Sequence, residues 1–71
     1  MSFRKVNASE EQLILNWINN KYALDLESIS ELLHDMDVDE LSEVMWNCAF
    51  GINKLLHYDN HNIYIEDSEN L

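Results

Sequence analysis

In 71 residues the chain carries 14 acidic and 4 basic side chains, one glycine and no proline, for a formal charge of -10. A chain this short forms one domain that buries only about 60% of the surface it exposes when unfolded, and a hydrophobic content of 46% with two Trp, three Tyr and two Phe excludes the disordered class. The lone Cys48 excludes an internal disulfide and fits a reducing compartment.

Residues 1–71 read as a single small acidic helical domain, without repeat, low-complexity tract or linker. The opening MSFRKVNASEEQ lacks the apolar stretch of a secretory signal, and the longest wholly aliphatic run, Leu13 to Leu15, is far too short for a membrane span. The expected location is therefore cytoplasmic, with no membrane partner. Arg4, Lys5 and Lys21 all precede Tyr22 and only Lys54 follows it, so the acidic character belongs to the later helices and the tail.

Ser9 followed by Gln12 has the spacing of a capping box, with Glu10 and Glu11 near the positive end of the helix dipole. It predicts a first helix running to about Lys21, whose core stripe is Leu13, Ile14, Trp17, Ile18 and Tyr22. Leu15 falls off that stripe and reads as a contact with a neighbouring element or with a partner.

A second helix follows a short connection near Ala23 to Asp25, capped by Asp25 or by Ser28 with Glu31. Ile29, Leu32, Leu33 and Met36 form its inner face. Glu27, Glu31 and His34 lie opposite, with Asp35 at the flank, as an acidic ridge with carboxylates roughly 6 Å apart at each four-residue step.

Asp37 with Glu40 predicts the start of a long third helix reaching His57 or Tyr58. Its main stripe is Leu41, Val44, Met45, Cys48, Ala49, Ile52, Leu55 and Leu56. Trp46 and Phe50 form a second stripe beside it, so the helix needs cover on more than one side. Gly51 inside it costs roughly 1 kcal/mol relative to alanine, which implies a close neighbour or a kink. The DNHN cluster after Tyr58 is turn-like, and Ile63 to Ile65 reads as a strand or extended segment before the acidic EDSEN tail. Pairing with Phe3 to Val6 would set Arg4 and Lys5 near Glu66 and Asp67. The expected fold is mainly α: a small three-helix bundle with a long central third helix and a short C-terminal strand or extended segment beside the N-terminus.

Motifs with chemistry are incomplete. Asp35, Asp37 and Asp39 match the first ligands of an EF-hand loop, but Glu40 stands where the loop needs glycine and Trp46 where it needs glutamate. Glu31 and His34 form one copy of a spacing that di-iron bundles use twice. His57 and His61 supply only half of a tetrahedral zinc site. Cys48 and His57 lie on opposite sides of one helix and make no nucleophile–base pair within it. No metal, cofactor or catalytic residue is expected.

Four basic residues also argue against direct nucleic-acid binding by a helix-turn-helix. The same charge suits an inhibitor whose carboxylates stand in for phosphates and occupy the basic groove of another protein, in particular a nucleic-acid-binding protein or nuclease. This suits a counter-defence protein of a phage or mobile element, or an antitoxin or immunity protein that blocks a basic nuclease. The residues for that surface are Glu27, Glu31, Asp35, Asp37, Asp39, Glu40 and Glu43. An alternative is a structural or regulatory protein that forms a homodimer or docks a partner through an apolar face of Leu15, Tyr22, Trp46 and Phe50.

Overall fold

A computed structural model describes residues 2–67; the end of the acidic tail, with Glu69, lies outside the described residues. Strand β1 (Ser2–Lys5) leads into helices α1 (Ala8–Tyr22), α2 (Ile29–Asp35) and α3 (Val38–Ile52), and the chain closes with strands β2 (Leu56–Tyr58) and β3 (Ile63–Asp67). The strands form an antiparallel sheet in the order β1-β3-β2. The expected mainly α bundle is thus corrected to an α+β arrangement in which a three-stranded sheet is a full partner of the helices.

The correction comes from the end of α3, which stops at Ile52 rather than at His57 or Tyr58. Asn53 adopts the left-handed conformation at φ 59°, which asparagine tolerates better than most residues. Its N–H donates to the Phe50 carbonyl and the Lys54 N–H to the Ala49 carbonyl, so the last helical carbonyls are satisfied in a Schellman turn. Leu56 to Tyr58, expected as helix, are released to pair with β3. A four-residue loop then joins β2 to β3, and Asp59 shapes it by accepting hydrogen bonds from the His61 and Asn62 N–H groups.

The chain ends pair, with Phe3 opposite Glu66 and Arg4 opposite Ile65. Arg4 nevertheless makes its ion pair elsewhere: its guanidinium forks onto Glu10 of α1 at 2.8 and 2.7 Å. Helix α1 is capped by Asn7, not Ser9. The Asn7 side chain accepts from the Glu10 N–H while the Glu10 carboxylate accepts from the Asn7 N–H, two orphan donors satisfied at once. Ser28 caps α2, and Asp37 with Glu40 forms the capping box of α3.

Side chains alternate along β3, so Ile63 and Ile65 enter the core while Tyr64 and Glu66 face outward. The core unites Ile14, Leu15 and Ile18 of α1, Ile29, Leu32 and Leu33 of α2, Leu41, Val44, Met45 and Cys48 of α3, and Val6 with the two strand isoleucines. Truncating one of these to alanine costs about 2–5 kcal/mol, a large part of the roughly 5–15 kcal/mol that keeps a small domain folded. The packing also decides one open assignment on α1 in favour of a neighbouring element and reverses another. Leu15 is buried in the cluster that the sheet completes, whereas Leu13, assigned to the inner stripe, is exposed.

Gly51 has a defined reason. A Cβ built there meets the Trp17 indole (Nε1, Cε2 and Cζ2) far inside contact distance, so the absence of a side chain lets α1 and α3 approach. Gly51→Ala is expected to destabilise the fold by about 1–3 kcal/mol through overpacking, although alanine is the better helix former; chemical denaturation followed by Trp emission measures it, and a stabilised variant contradicts the packing. Ala23 ends α1 in the left-handed region at φ 56°. Ala23→Gly removes that strain at the expense of a freer unfolded chain, and the net expectation is a gain of about 0.5–1 kcal/mol, read as a rise in Tm of several degrees.

Candidate functional site

All seven acidic residues singled out from the sequence, Glu27, Glu31, Asp35, Asp37, Asp39, Glu40 and Glu43, are exposed. They do not form one continuous helical ridge. Glu27 precedes α2 in the connecting segment, and its N–H donates to the Glu31 carboxylate. Asp37 and Glu40 each have an oxygen engaged in the cap of α3. Asp39 and Glu43, four residues apart, share a face of α3, separated by roughly 6 Å along its axis. The result is an acidic edge in three parts: the approach to α2 with the outer side of α2 (Glu27, Glu31, Asp35), the α2–α3 turn (Asp37), and the first half of α3 (Asp39, Glu40, Glu43).

Among the described residues the one ion pair is Arg4–Glu10, away from this edge. The edge carboxylates thus have no ion-pair partner among the described residues, although Glu31, Asp37 and Glu40 accept backbone N–H groups at helix starts. The field of such surface charge extends about a Debye length, roughly 8–10 Å, into physiological salt. At the other end of the molecule Glu10 is held below its usual carboxylate range, first by the hydrogen bonds from Arg4 and then by the Asn7 N–H. Asp59 is also held low by the His61 and Asn62 N–H groups and the Tyr64 hydroxyl.

The apolar candidates separate. Leu15 is core. Tyr22 is half-buried, edge-on to Trp17 at 6.4 Å, and its hydroxyl accepts from the Asn47 amide at 2.9 Å. Trp46 and Phe50 instead stand 65% and 72% exposed, edge to face with centroids 5.4 Å apart. With Ala49 and Leu55 they border a shallow groove of about 200 Å³ whose polar margin includes Lys54 and Glu66. Sequence reasoning placed Leu55 in the core, because it extended α3 past Asn53. It also overlooked Val38, which is 76% exposed and flanked by Asp37 and Asp39. At about 100° per residue, Val38, Asp39, Glu43, Trp46 and Phe50 fall on one outward half of α3, so acidic and aromatic groups share a face.

A second groove, of about 490 Å³, lies where the end of α1, the connection to α2 and the first half of α3 meet. Its walls depend on a residue that the sequence did not mark. The Asn19 side chain donates to the Leu26 carbonyl at 3.0 Å and accepts from the Leu26 N–H at 2.9 Å, pinning the connection to α1.

The incomplete motifs stay apart. No three His, Cys, Asp or Glu side chains converge on a point where they could hold a metal ion, among the described residues. His34 lies near the Ser30 hydroxyl, and His57 packs against Phe3 on the outer face of the sheet at 4.4 Å, while Cys48 is fully enclosed in the core. Burial pushes the Cys48 thiol up to about 11, the environment of an inert cysteine. Among the described residues no helix is long and apolar enough to cross a membrane. No protein-family model, curated protein or solved structure matches the chain.

Two outcomes follow from these environments. Cys48 is expected to react with a thiol reagent only as fast as the protein unfolds, so labelling that outpaces unfolding contradicts its enclosure. Because the folded Asp59 carboxyl is depressed, its contribution is complete above the unfolded value of about 4 and fades as pH falls through the lower folded value. The stability gap between wild type and Asp59→Ala is therefore expected to be constant near neutral pH and to narrow in acid; urea titrations across that range measure it.

Proposed function

We propose that this protein is a non-enzymatic binding protein whose acidic edge occupies a basic, nucleic-acid-binding surface of another protein, in the manner of an inhibitor, antitoxin, immunity or counter-defence protein. One observation carries the reading: the carboxylates from Glu27 to Glu43 are exposed, and none of them has an ion-pair partner among the described residues. A surface that keeps like charges together destabilises its own fold by repulsion and draws a cationic partner at rates well above those of neutral encounters. Rigid caps at Ser28 and Asp37 hold the edge in a fixed shape, so little order has to be gained on binding.

A second reading, docking or homodimerisation through the apolar face of α3, draws on the exposure of Trp46 and Phe50. Aromatic side chains of this kind are typical anchors of protein interfaces. The two readings differ in their response to salt, which weakens a charge contact and spares an apolar one.

Capture of proteins from a lysate on the immobilised chain, at low and at high salt, tests the proposal. The expected retained proteins are basic and nucleic-acid-binding, released by salt or by added DNA, and lost when Glu27, Glu31 and Asp35 are all changed to lysine. Retention that survives high salt and the triple change, yet disappears with Trp46→Ala and Phe50→Ala, contradicts the acidic edge and supports the second reading.

A further inference from the structure

The larger groove combines features that neither the acidic edge nor the aromatic pair has alone. Its volume of about 490 Å³ lies within the roughly 300–1,000 Å³ of ligand-binding clefts. Leu26, Met36 and Val44 give it an apolar floor, with the Tyr22 ring as one wall and the half-open Leu24 at its lip. Asp35, Glu40 and Glu43 stand around it. Its shape is already set: Tyr22 is held by Asn47 and by the edge of Trp17, and Leu26 is clamped at both backbone groups by Asn19. A groove braced in this way does not have to be ordered by its occupant.

The rim decides what enters. Three carboxylates repel an anion, and the floor offers little to a wholly polar cation. A second copy of this chain is a poor occupant, because each copy carries a charge of -10 and the same acidic rim would approach itself. An amphipathic cation fits both parts, with apolar side chains on the floor and positive ones at the rim. Among macromolecules that chemistry belongs to a basic amphipathic helix, which presents apolar anchors at three- and four-residue steps.

We infer that this groove receives the apolar face of a basic amphipathic helix from the partner protein, with one anchor over Met36 and Val44 and flanking Lys or Arg side chains on Asp35, Glu40 and Glu43. The inference rests on the reading of a basic partner. It adds that the contact has an apolar centre, so recognition depends on where hydrophobic residues fall as well as on charge.

Two synthetic peptides test it against the full chain: an amphipathic Leu/Lys helix, and an oligolysine carrying the same number of positive charges. Methyl-labelled methionine NMR reports the site, since Met36 lines the groove and Met45 is buried in the core. The Leu/Lys peptide is expected to bind at least about tenfold more tightly than oligolysine, the effect of one buried apolar side chain. It is expected to move the Met36 methyl signal, and to weaken by about tenfold with Leu24→Asp or Glu43→Lys while Trp46→Ala stays within about twofold. Equal affinity for the two peptides, with shifts confined to the acidic edge, overturns the groove and leaves the basic-partner reading standing. An unmoved Met36 with loss of binding in Trp46→Ala also overturns the groove, because the anchor then lies on the other side of α3. Absence of binding by either peptide at low salt overturns the inference and the basic-partner reading together.

Discussion

Strand β3 is the element on which the others close. It supplies the middle of the sheet, it ties the two chain ends to each other, and its inward isoleucines, Ile63 and Ile65, are almost completely enclosed by the helices. Helix α2 shows why such an anchor is needed: at seven residues it is far below the length at which an isolated helix persists in water. It exists because Ile29, Leu32 and Leu33 are buried in the shared core and because Ser28 satisfies its first turn. The acidic edge inherits its geometry from that packing, since Glu31 and Asp35 stand on the outer side of α2 and the turn to α3 follows directly.

Apolar and acidic side chains are divided among the helices in a way that serves both folding and recognition. The inner half of α3 is continuous with the core, and its outer half carries Asp39 and Glu43 in its first part and Trp46 and Phe50 in its second. Charge of one sign raises encounter rates and suppresses wrong partners, whereas buried aromatic or aliphatic anchors slow dissociation. A surface with both can select a partner that is basic and also carries apolar groups at the right spacing. The groove beside α3 extends the same logic to the connection after α1, where the Asn19 clamp on Leu26 has no other evident purpose than to fix that connection.

The helices and the charge distribution were legible in the sequence because they rest on local signals. Asp37 with Glu40 and Ser28 with Glu31 are short-range patterns, and the three- and four-residue stripes name most of the core. The pairing of β3 with β1 was legible too, from the strand character of Ile63 to Ile65, whereas β2 was not, for an equally physical reason. The apolar period of α3 runs on through Leu55 and Leu56, so periodicity gives no stop, and the helix ends on the left-handed conformation of Asn53, a weak signal without glycine. The three- and four-residue period through Ile14, Trp17 and Ile18 admits Leu13 to the expected core and passes over Leu15, whose burial depends on tertiary packing that the helix pattern does not encode. In the acidic site, the identity and exposure of the carboxylates followed from helix faces, but the division of the edge into three parts did not, because it depends on the choice of Ser28 over Asp25 as the cap. The Asn19–Leu26 clamp spans a loop and has no pattern in sequence.

The free protein holds these carboxylates close together with no ion-pair partner among the described residues. The most direct measurement is its unfolding free energy in urea, a neutral denaturant, as ionic strength is raised with a simple salt. Screening of the self-repulsion predicts that stability rises steadily with added salt. Stability that stays level or falls would mean that the negative charge is already neutralised within the fold, and the acidic edge would then have no unmet attraction to offer a partner.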